Sequence, residues 1–237
     1  MSVLIIGSGL IGTQIAKIEV DLGERPIVME LSPQLEAIGR LVDLDKIEVR
    51  TGDVLDLKVL SEVIKEHSVK RIIHTVANPL LGVGAQAHPH EAIRLNVMGT
   101  ANVLEAAREF DLDRVVFCSS SVLYSYVKDP KDTWDRSTSK SYTEEMHPRP
   151  STIYATTKQA AENLGLNYAQ AYNLDFVAVR YAAAFGPWTG NGGGGEPTQM
   201  VRRMIEKALI GEQAFYRNVP VELVYSKDAA LGAVKAC

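Results

Sequence analysis

Tyr154 stands four residues before Lys158 in the stretch STIYATTKQAAENL (151–164), a spacing that puts both side chains on one face of a helix. A tyrosine ordinarily ionises at about 10, too high for a base at neutral pH. A neighbouring ammonium favours the phenolate and is expected to draw that value down. Tyr154 would then take a hydroxyl proton as hydride leaves the same carbon. The chemistry also needs a donor to hold that oxygen, and Ser119 and Ser120, closing the apolar run RVVFCSS (114–120), supply hydroxyls together with Ser121 directly after it. The pair alone is weak evidence, because Tyr124 and Lys128 repeat the spacing. Context separates the two. Asp129-Pro130 opposes a helix continuing through LYSYVKDP, whereas Tyr154 and Lys158 follow the candidate N-caps Ser151 and Thr152 and lead into alanine- and leucine-rich helix.

A second constellation opens the chain. SVLIIG (2–7) runs into GSGLIG, in which Gly7, Gly9 and Gly12 enclose Leu10 and Ile11, and TQIAKIEVDLG (13–23) continues as helix. In a dinucleotide fold the three glycines provide a tight turn, close backbone approach to a pyrophosphate and close helix–strand packing, with the phosphates at the helix N-terminus. Glu30 follows at the end of the second apolar run. A carboxylate there accepts from a ribose 2′-hydroxyl and repels a 2′-phosphate, so NAD is expected rather than NADP. Asp53, in TGDVLD after the third run, falls where an adenine would lie, with a turn-forming aspartate as the equal alternative. The positive ring of oxidised NAD adds to the ammonium in favouring a Tyr154 phenolate.

The elements that must position these groups are strands alternating with helices. Apolar runs at 2–7, 26–31, 46–52, 71–77, 114–120 and 175–181 alternate with amphipathic stretches such as 91–109 and 153–173. Continuous apolar strands, each followed by a helix, specify a parallel sheet covered on both faces. The expectation is a doubly wound α/β Rossmann fold of strand order 3-2-1-4-5-6. After 181 the pattern changes to the glycine-rich loop FGPWTGNGGGGEPTQ, a helix near 198–211, a strand near 221–225 and a helical start at 227. The four glycines 192–195 read as a flexible connection, with a lid bordering the substrate as the alternative. We expect a dinucleotide-binding domain over 1–181 and a partial substrate-binding region over 182–237, interleaved with the last Rossmann elements.

A formal charge of −4 with scattered lysines and arginines leaves no footprint for nucleic acid or an anionic membrane, which points to a small-molecule substrate. No apolar run approaches membrane-spanning length and no secretory signal opens the chain, so the expected compartment is the cytoplasm. Two cysteines, Cys118 and Cys237, cannot form a disulfide framework, and Cys118 reads as a buried inert thiol. His88 and His90 flank Pro89 without a further ligand cluster, so no metal is expected. Trp134 and Trp188 sit in polar loops, either bordering a substrate or packing, and Arg180 reads as a partner for a carboxylate.

Beyond the glycine motif, NVMGTANVLEAA (96–107), VVFCSSSVLY (115–124), YTEEMHPRPSTIYATTKQAAE (142–162), VRYAAAFGPW (179–188) and VYSKDAALGAVKA (224–236) resemble the extended short-chain dehydrogenases/reductases, also called the NAD-dependent epimerase/dehydratase family. The resemblance covers nearly the whole chain. It implies Tyr154 as catalytic base, Lys158 as the lysine that binds the nicotinamide ribose and tunes the tyrosine, and Ser120 as the catalytic hydroxyl, with Ser121 its possible substitute. It implies cofactor contacts at Gly7, Gly9, Leu10, Ile11, Gly12, Glu30, Asp53, Val54, Val76, Ala77, Asn96, Tyr154, Lys158 and Tyr181. Substrate contacts are expected at Ser121, Asn78 and Ala183, a structural role at Asp228, and a homodimer through 91–109 and 153–173.

The sequence departs from the family in three ways. Ser121-Val122 stands where members that eliminate water carry an acidic pair, which disfavours dehydratase chemistry. HTVAN (74–78) replaces a His-x-Ala-Ala pattern, and the glycine spacing is the general Rossmann form. Members also continue past SKDAA, so the C-terminal substrate-binding portion is expected to be incomplete. The implied activity is reversible hydride transfer at a secondary hydroxyl, of a sugar or nucleotide sugar, by an epimerase or dehydrogenase. The alternatives are a dehydrogenase or reductase of a small non-nucleotide alcohol or ketone, and a non-catalytic dinucleotide sensor.

Overall fold

All six apolar runs become strands: β1 (Val3–Ile6), β2 (Ile27–Glu30), β3 (Glu48–Thr51), β4 (Arg71–His74), β5 (Arg114–Ser120) and β6 (Phe176–Tyr181). The structure, a computed structural model, describes residues 2–78, 84–124, 146–191, 196–214 and 222–237. Lys128, Trp134 and the glycine run 192–195 lie outside the described residues. The strands pair in parallel in the order β3-β2-β1-β4-β5-β6, the expected doubly wound sheet. Chain connections leave β1 toward β2 on one side and reach β4 on the other, so a crevice opens beyond the carboxyl ends of β1 and β4.

Alternation along the buried strands divides the core between two faces. Val3, Ile5, Val28 and Val116 pack with Ile15 and Ile18 of α1 (Leu10–Asp21), Ile38 of α2 (Leu35–Gly39) and Ala230 and Ala233 of α8 (Ser226–Ala236). Leu4, Ile6, Ile72 and Val115 pack on the opposite face with Leu60 and Val63 of α3 (Leu57–His67) and Val103 and Leu104 of α5 (Gly99–Glu109). The same face carries α6 (Ile153–Tyr172), whose Gly165 lets it lie close to β6: a Cβ there would sit 2.1 Å from the Phe176 ring.

Two features differ from the sequence expectation. The stretch 91–109 is not one regular helix: α4 (Pro89–Ile93) and α5 are joined by a π turn, Arg94–Met98, that carries Asn96. Such turns admit one extra residue and re-aim side chains at functional sites. Beyond β6, β7 (Ala183–Phe185) pairs in parallel with β8 (Leu223–Tyr225) in a separate two-stranded sheet, from which α7 (Glu196–Leu209) and α8 are hung. Arg114 ties the last helix to the sheet, donating at 2.9 Å to the Ala236 carbonyl while pairing with Asp175 at 2.6 Å. No described helix is long and apolar enough to cross a membrane.

Candidate active site

The glycine turn is built as its spacing requires. Gly7 leaves β1 at φ +105°, a conformation costly for side chains with a Cβ, and a Cβ there would lie 2.4 Å from Thr75 Oγ1. A Cβ on Gly12 would lie 1.8 Å from the Gly7 carbonyl oxygen, so the first turn of α1 presses directly on the loop. Gly9 caps α1 in extended backbone with no side chain accepting from the first-turn N–H groups, and the first turn holds no acidic residue. An uncapped helix start framed by glycines has donors and space for a pyrophosphate. Thr75, which the sequence reading passed over, secures the loop by donating to the Ile6 carbonyl at 2.9 Å.

Glu30 ends β2 beside this loop and accepts from the Ser8 N–H at 2.9 Å and the Ser8 hydroxyl at 3.3 Å. Glu30, Asp53, Val54 and Val76 line one cavity of about 100 Å³, together with Ile6, Met29, Leu31 and Leu95. Asp53 turns its carboxylate onto the Leu55 N–H at 2.9 Å, the turn-forming alternative weighed for it, while still walling the cavity. The geometry fits a dinucleotide: a glycine cradle, an acidic side chain beside it and a mostly apolar cavity against that side chain.

Two of the candidate side chains at the reacting end are contributed by α6. Thr152 caps it, accepting from the Ala155 N–H at 3.2 Å, so the helix starts just before Tyr154. Ala155, Lys158, Ala161, Glu162 and Gly165 form its buried stripe. The Ser120 hydroxyl, at the end of β5, stands near the Tyr154 phenol and favours its ionisation. Lys158 is 2% exposed, donates to the Cys118 carbonyl at 2.7 Å, and holds its ammonium 5.8 Å from the centre of the Tyr154 ring and 4.5 Å from that of Phe117. Cys118 is buried, as expected, and its thiol points at the Tyr181 hydroxyl, 3.8 Å away. Ser119, between them, is buried with no partner for its hydroxyl among the described residues.

The electrostatics depart from the expectation that the ammonium lowers the tyrosine. Burial pushes the Tyr154 phenol up to about 12, with the Cys118 sulfur adding to the rise and the nearby Ser120 hydroxyl opposing it. Burial also pulls Lys158 down to about 8, against Cys118 and Glu162, which raise it. The reason is geometric: Lys158 spends its hydrogen bond on a main-chain carbonyl rather than on the phenol, so withdrawal from water outweighs their attraction. His74, wholly buried under Lys158, is pushed down to about 3 by burial and by that charge, and stays neutral.

Asn96 is 2% exposed and spends its amide within the chain. Its carbonyl accepts from the Asn78 N–H at 2.6 Å, and its NH₂ donates to the Asn78 carbonyl at 3.3 Å and to Thr157 Oγ1 at 2.9 Å. Thr157 donates in turn to the Tyr154 carbonyl at 2.8 Å, so the end of β4 and the start of α6 are tied through the π turn. Thr157 sits inside the Tyr-x-x-x-Lys motif, which was the one sequence signal for it. Val76 and Ala77 lie between Thr75 and Asn78 on the segment that leaves β4 for this tie, Leu10 and Ile11 begin α1, and Ser121 opens a 3₁₀ turn, Ser121–Tyr124, directly after Ser120. Ala183 begins β7 and donates its N–H to the Glu222 carbonyl at 3.1 Å.

Other residues resolve to structural settings. Arg180 pairs with a carboxylate, that of Glu162, and Tyr124 is buried against it. His88 and His90 sit exposed at the start of α4, and Trp188 is buried with its indole N–H donating to the Asn191 carbonyl at 3.0 Å. A larger cavity, about 540 Å³, lies between α2, α7 and the segment after β7, lined by Leu41, Phe185, Trp188, Ile205 and Tyr225, and contains none of the candidate catalytic residues.

Comparison with known proteins matches residues 3–237 to the model of the NAD dependent epimerase/dehydratase family. The chain is 30% identical over 188 residues to the UDP-glucose 4-epimerase of Halalkalibacterium halodurans, covering 78% of this chain and 52% of that protein. The UDP-glucose 4-epimerase of Brucella ovis, solved in complex with NAD, superposes with a TM-score of 0.77 at 26% identity, over 99% of this chain and 72% of that one. The Thermotoga maritima UDP-glucose 4-epimerase shares the fold at a TM-score of 0.81 and 20% identity, over 100% of this chain and 73% of that one. The chain spans about half the length of the first curated relatives it matches.

Proposed function

The chain belongs to the NAD dependent epimerase/dehydratase family, and on that premise we propose that it reversibly oxidises a secondary hydroxyl of a nucleotide sugar, with NAD as resident cofactor and Tyr154 as base. The observation that carries this reading is the Tyr154 phenol near Ser120 with the buried Lys158 ammonium 5.8 Å from its ring, at the carboxyl end of β5, two strands along the sheet from β1 and its glycine cradle. Gly7, Gly9, Leu10, Ile11 and Gly12 would hold the pyrophosphate, Glu30 a ribose, and Asp53, Val54 and Val76 the adenine. Lys158 and Tyr181 would flank the nicotinamide ribose. NAD, when bound, supplies an acceptor that takes a hydride from the substrate carbon and returns it.

The chain's residues supply the rest. Tyr154 removes the substrate hydroxyl proton, Ser120 donates to the same oxygen, and Lys158 offsets the negative charge that Tyr154 acquires. Asn96 acts through others, fixing Asn78 and the backbone of Tyr154. Asn78, Ser121 and Ala183 are proposed on the substrate side, with 182–237 contributing the substrate wall. If the ketone turns over before hydride returns, the product is an epimer. Dehydration is not proposed, because the turn after Ser120 brings Ser121, Val122, Leu123 and Tyr124 and no carboxylate. The relatives named as UDP-glucose and UDP-glucuronate 4-epimerases support the choice of substrate class. A homodimer through α4–α6 is proposed as well; Met98, Leu166 and Tyr172 stand exposed there at 53%, 58% and 55%, and light scattering tests it.

The test is Tyr154→Phe assayed with UDP-sugars for epimer formation and with free alcohols for NADH. Turnover should fall by at least about a thousandfold with NAD affinity within about twofold. Undiminished turnover would remove Tyr154 from the mechanism, and NADH accumulation with a free alcohol would replace the epimerase reading by the dehydrogenase.

A further inference from the structure

Lys158 is one of two adjacent charges on the buried stripe of α6. The next turn carries Glu162, whose side chain is 5% exposed. A buried carboxylate is costly unless paired and hydrogen-bonded. Arg180, on β6 beside Tyr181, pairs with it in a fork: Nε lies 3.0 Å and 3.2 Å from the two carboxylate oxygens and Nη2 lies 2.7 Å from Oε2. The guanidinium is itself anchored, donating to the Tyr124 hydroxyl and lying 5.2 Å from that ring. Three elements thus fix one carboxylate a turn away from the proposed catalytic lysine.

Among the described residues, the charged and titratable groups that face Lys158 are His74 on β4, Cys118 on β5, and Tyr154 and Glu162 on α6; Tyr181 and Arg180 on β6 reach it through Cys118 and Glu162. His74 is neutral, and Cys118 and Tyr154 are held protonated by burial. Glu162 is therefore the one anion in this set. Resting on the Tyr154 and Lys158 reading above, we propose that Glu162 is a positioning residue: its carboxylate, clamped by Arg180, which Tyr124 anchors, acts through space from one helical turn away to keep Lys158 charged beside Tyr154. A bidentate guanidinium fork suits this role because it holds the carboxylate in one orientation, which a lysine would not. The cluster Lys158, Glu162 and Arg180 carries a net single positive charge, aimed at the place where Tyr154 becomes negative.

The experiment is an NMR titration of Lys158 in full-length protein labelled with ¹³C at lysine Cε, the signal being assigned by its loss in Lys158→Arg. In Glu162→Gln the Lys158 midpoint should fall by about one unit or more, and Glu162→Asp should recover at least half of that shift. Because Glu162→Gln removes the carboxylate partner of the half-buried Arg180 and can lower stability, Glu162→Gln/Arg180→Met is measured beside it, with the same direction expected. Turnover at pH 8 should fall about fivefold or more in Glu162→Gln at unchanged KM for the sugar, and its alkaline limb should move with the midpoint. An unmoved midpoint in the folded variants overturns the proposal, even where Tyr154→Phe is inactive. A moved midpoint sustains it even if Tyr154→Phe turns over normally, an outcome that would sink the base assignment alone.

Discussion

The Lys158 ammonium donates at 2.7 Å to the main-chain carbonyl of Cys118. That bond anchors the lysine to β5, so the ammonium acts on Tyr154 through space and not by a hydrogen bond of its own. Burial has then taken water from both groups, which is why each is pushed toward its neutral form.

A stability measurement follows from the lysine. Its value falls from 10.5 to about 8 in the fold, so between those pH values the unfolded chain binds the extra proton and native stability rises with pH. At pH 7 the fold bears the full cost of the buried charge, about 3 kcal/mol at ~1.4 kcal/mol per unit. Lys158→Met should be more stable than wild type at pH 7 by about 2 kcal/mol, after the lost bond to Cys118 is deducted. Denaturant melts at pH 7 and pH 10 should show that advantage shrinking as pH rises; an advantage independent of pH would refute the charge as its source.

The tyrosine gives a spectroscopic test. With its value near 12 in the ligand-free protein, Tyr154 should show no phenolate absorbance below pH 10. The signal is isolated as wild type minus Tyr154→Phe. Saturating NAD⁺ should draw part of it into the range of roughly pH 8–10, because the added positive ring favours the phenolate. A phenolate already present at pH 8 without ligand would show that burial is not the dominant influence.

The glycine loop predicts graded losses. Gly12→Ala would set a Cβ 1.8 Å from a carbonyl oxygen, and Gly7→Ala combines a 2.4 Å clash with φ +105°. Each should cost about 2–3 kcal/mol and weaken NAD binding at least tenfold. Gly23→Ala is the control: φ is +90° but nothing lies within 4 Å, so about 1 kcal/mol and unchanged NAD affinity are expected from thermal melts and calorimetry.

Glu30 decides the cofactor in this reading. Glu30→Gln should weaken NAD by about tenfold, as for one charge-assisted hydrogen bond, while leaving NADP binding level or improved. Calorimetric titration with both dinucleotides checks it. Equal weakening of the two would mean that Glu30 serves only to hold Ser8.

What the sequence determined on its own was what repeats or sits close along the chain. Apolar runs alternating with helical stretches specified six parallel strands, because burial on both faces leaves unbroken apolar runs that are visible without coordinates, and the doubly wound fold type supplied their order. The glycine spacing announced the turn at Gly7, and i, i+4 spacing put Tyr154 and Lys158 on one helical face. Tertiary structure decided whatever depends on distant residues meeting. Gly7 needs its missing Cβ because of Thr75, and Asn96 reaches Asn78 and Thr157 only because a π turn re-aims it. The β7–β8 pair joins segments on either side of α7, and Glu162 meets Arg180 across a helix–strand packing that Gly165 allows. The direction of the Tyr154 ionisation belongs to this second class: an ammonium four residues away is a local fact, but the desolvation that outweighs it exists only once the sheet and α6 have closed over both.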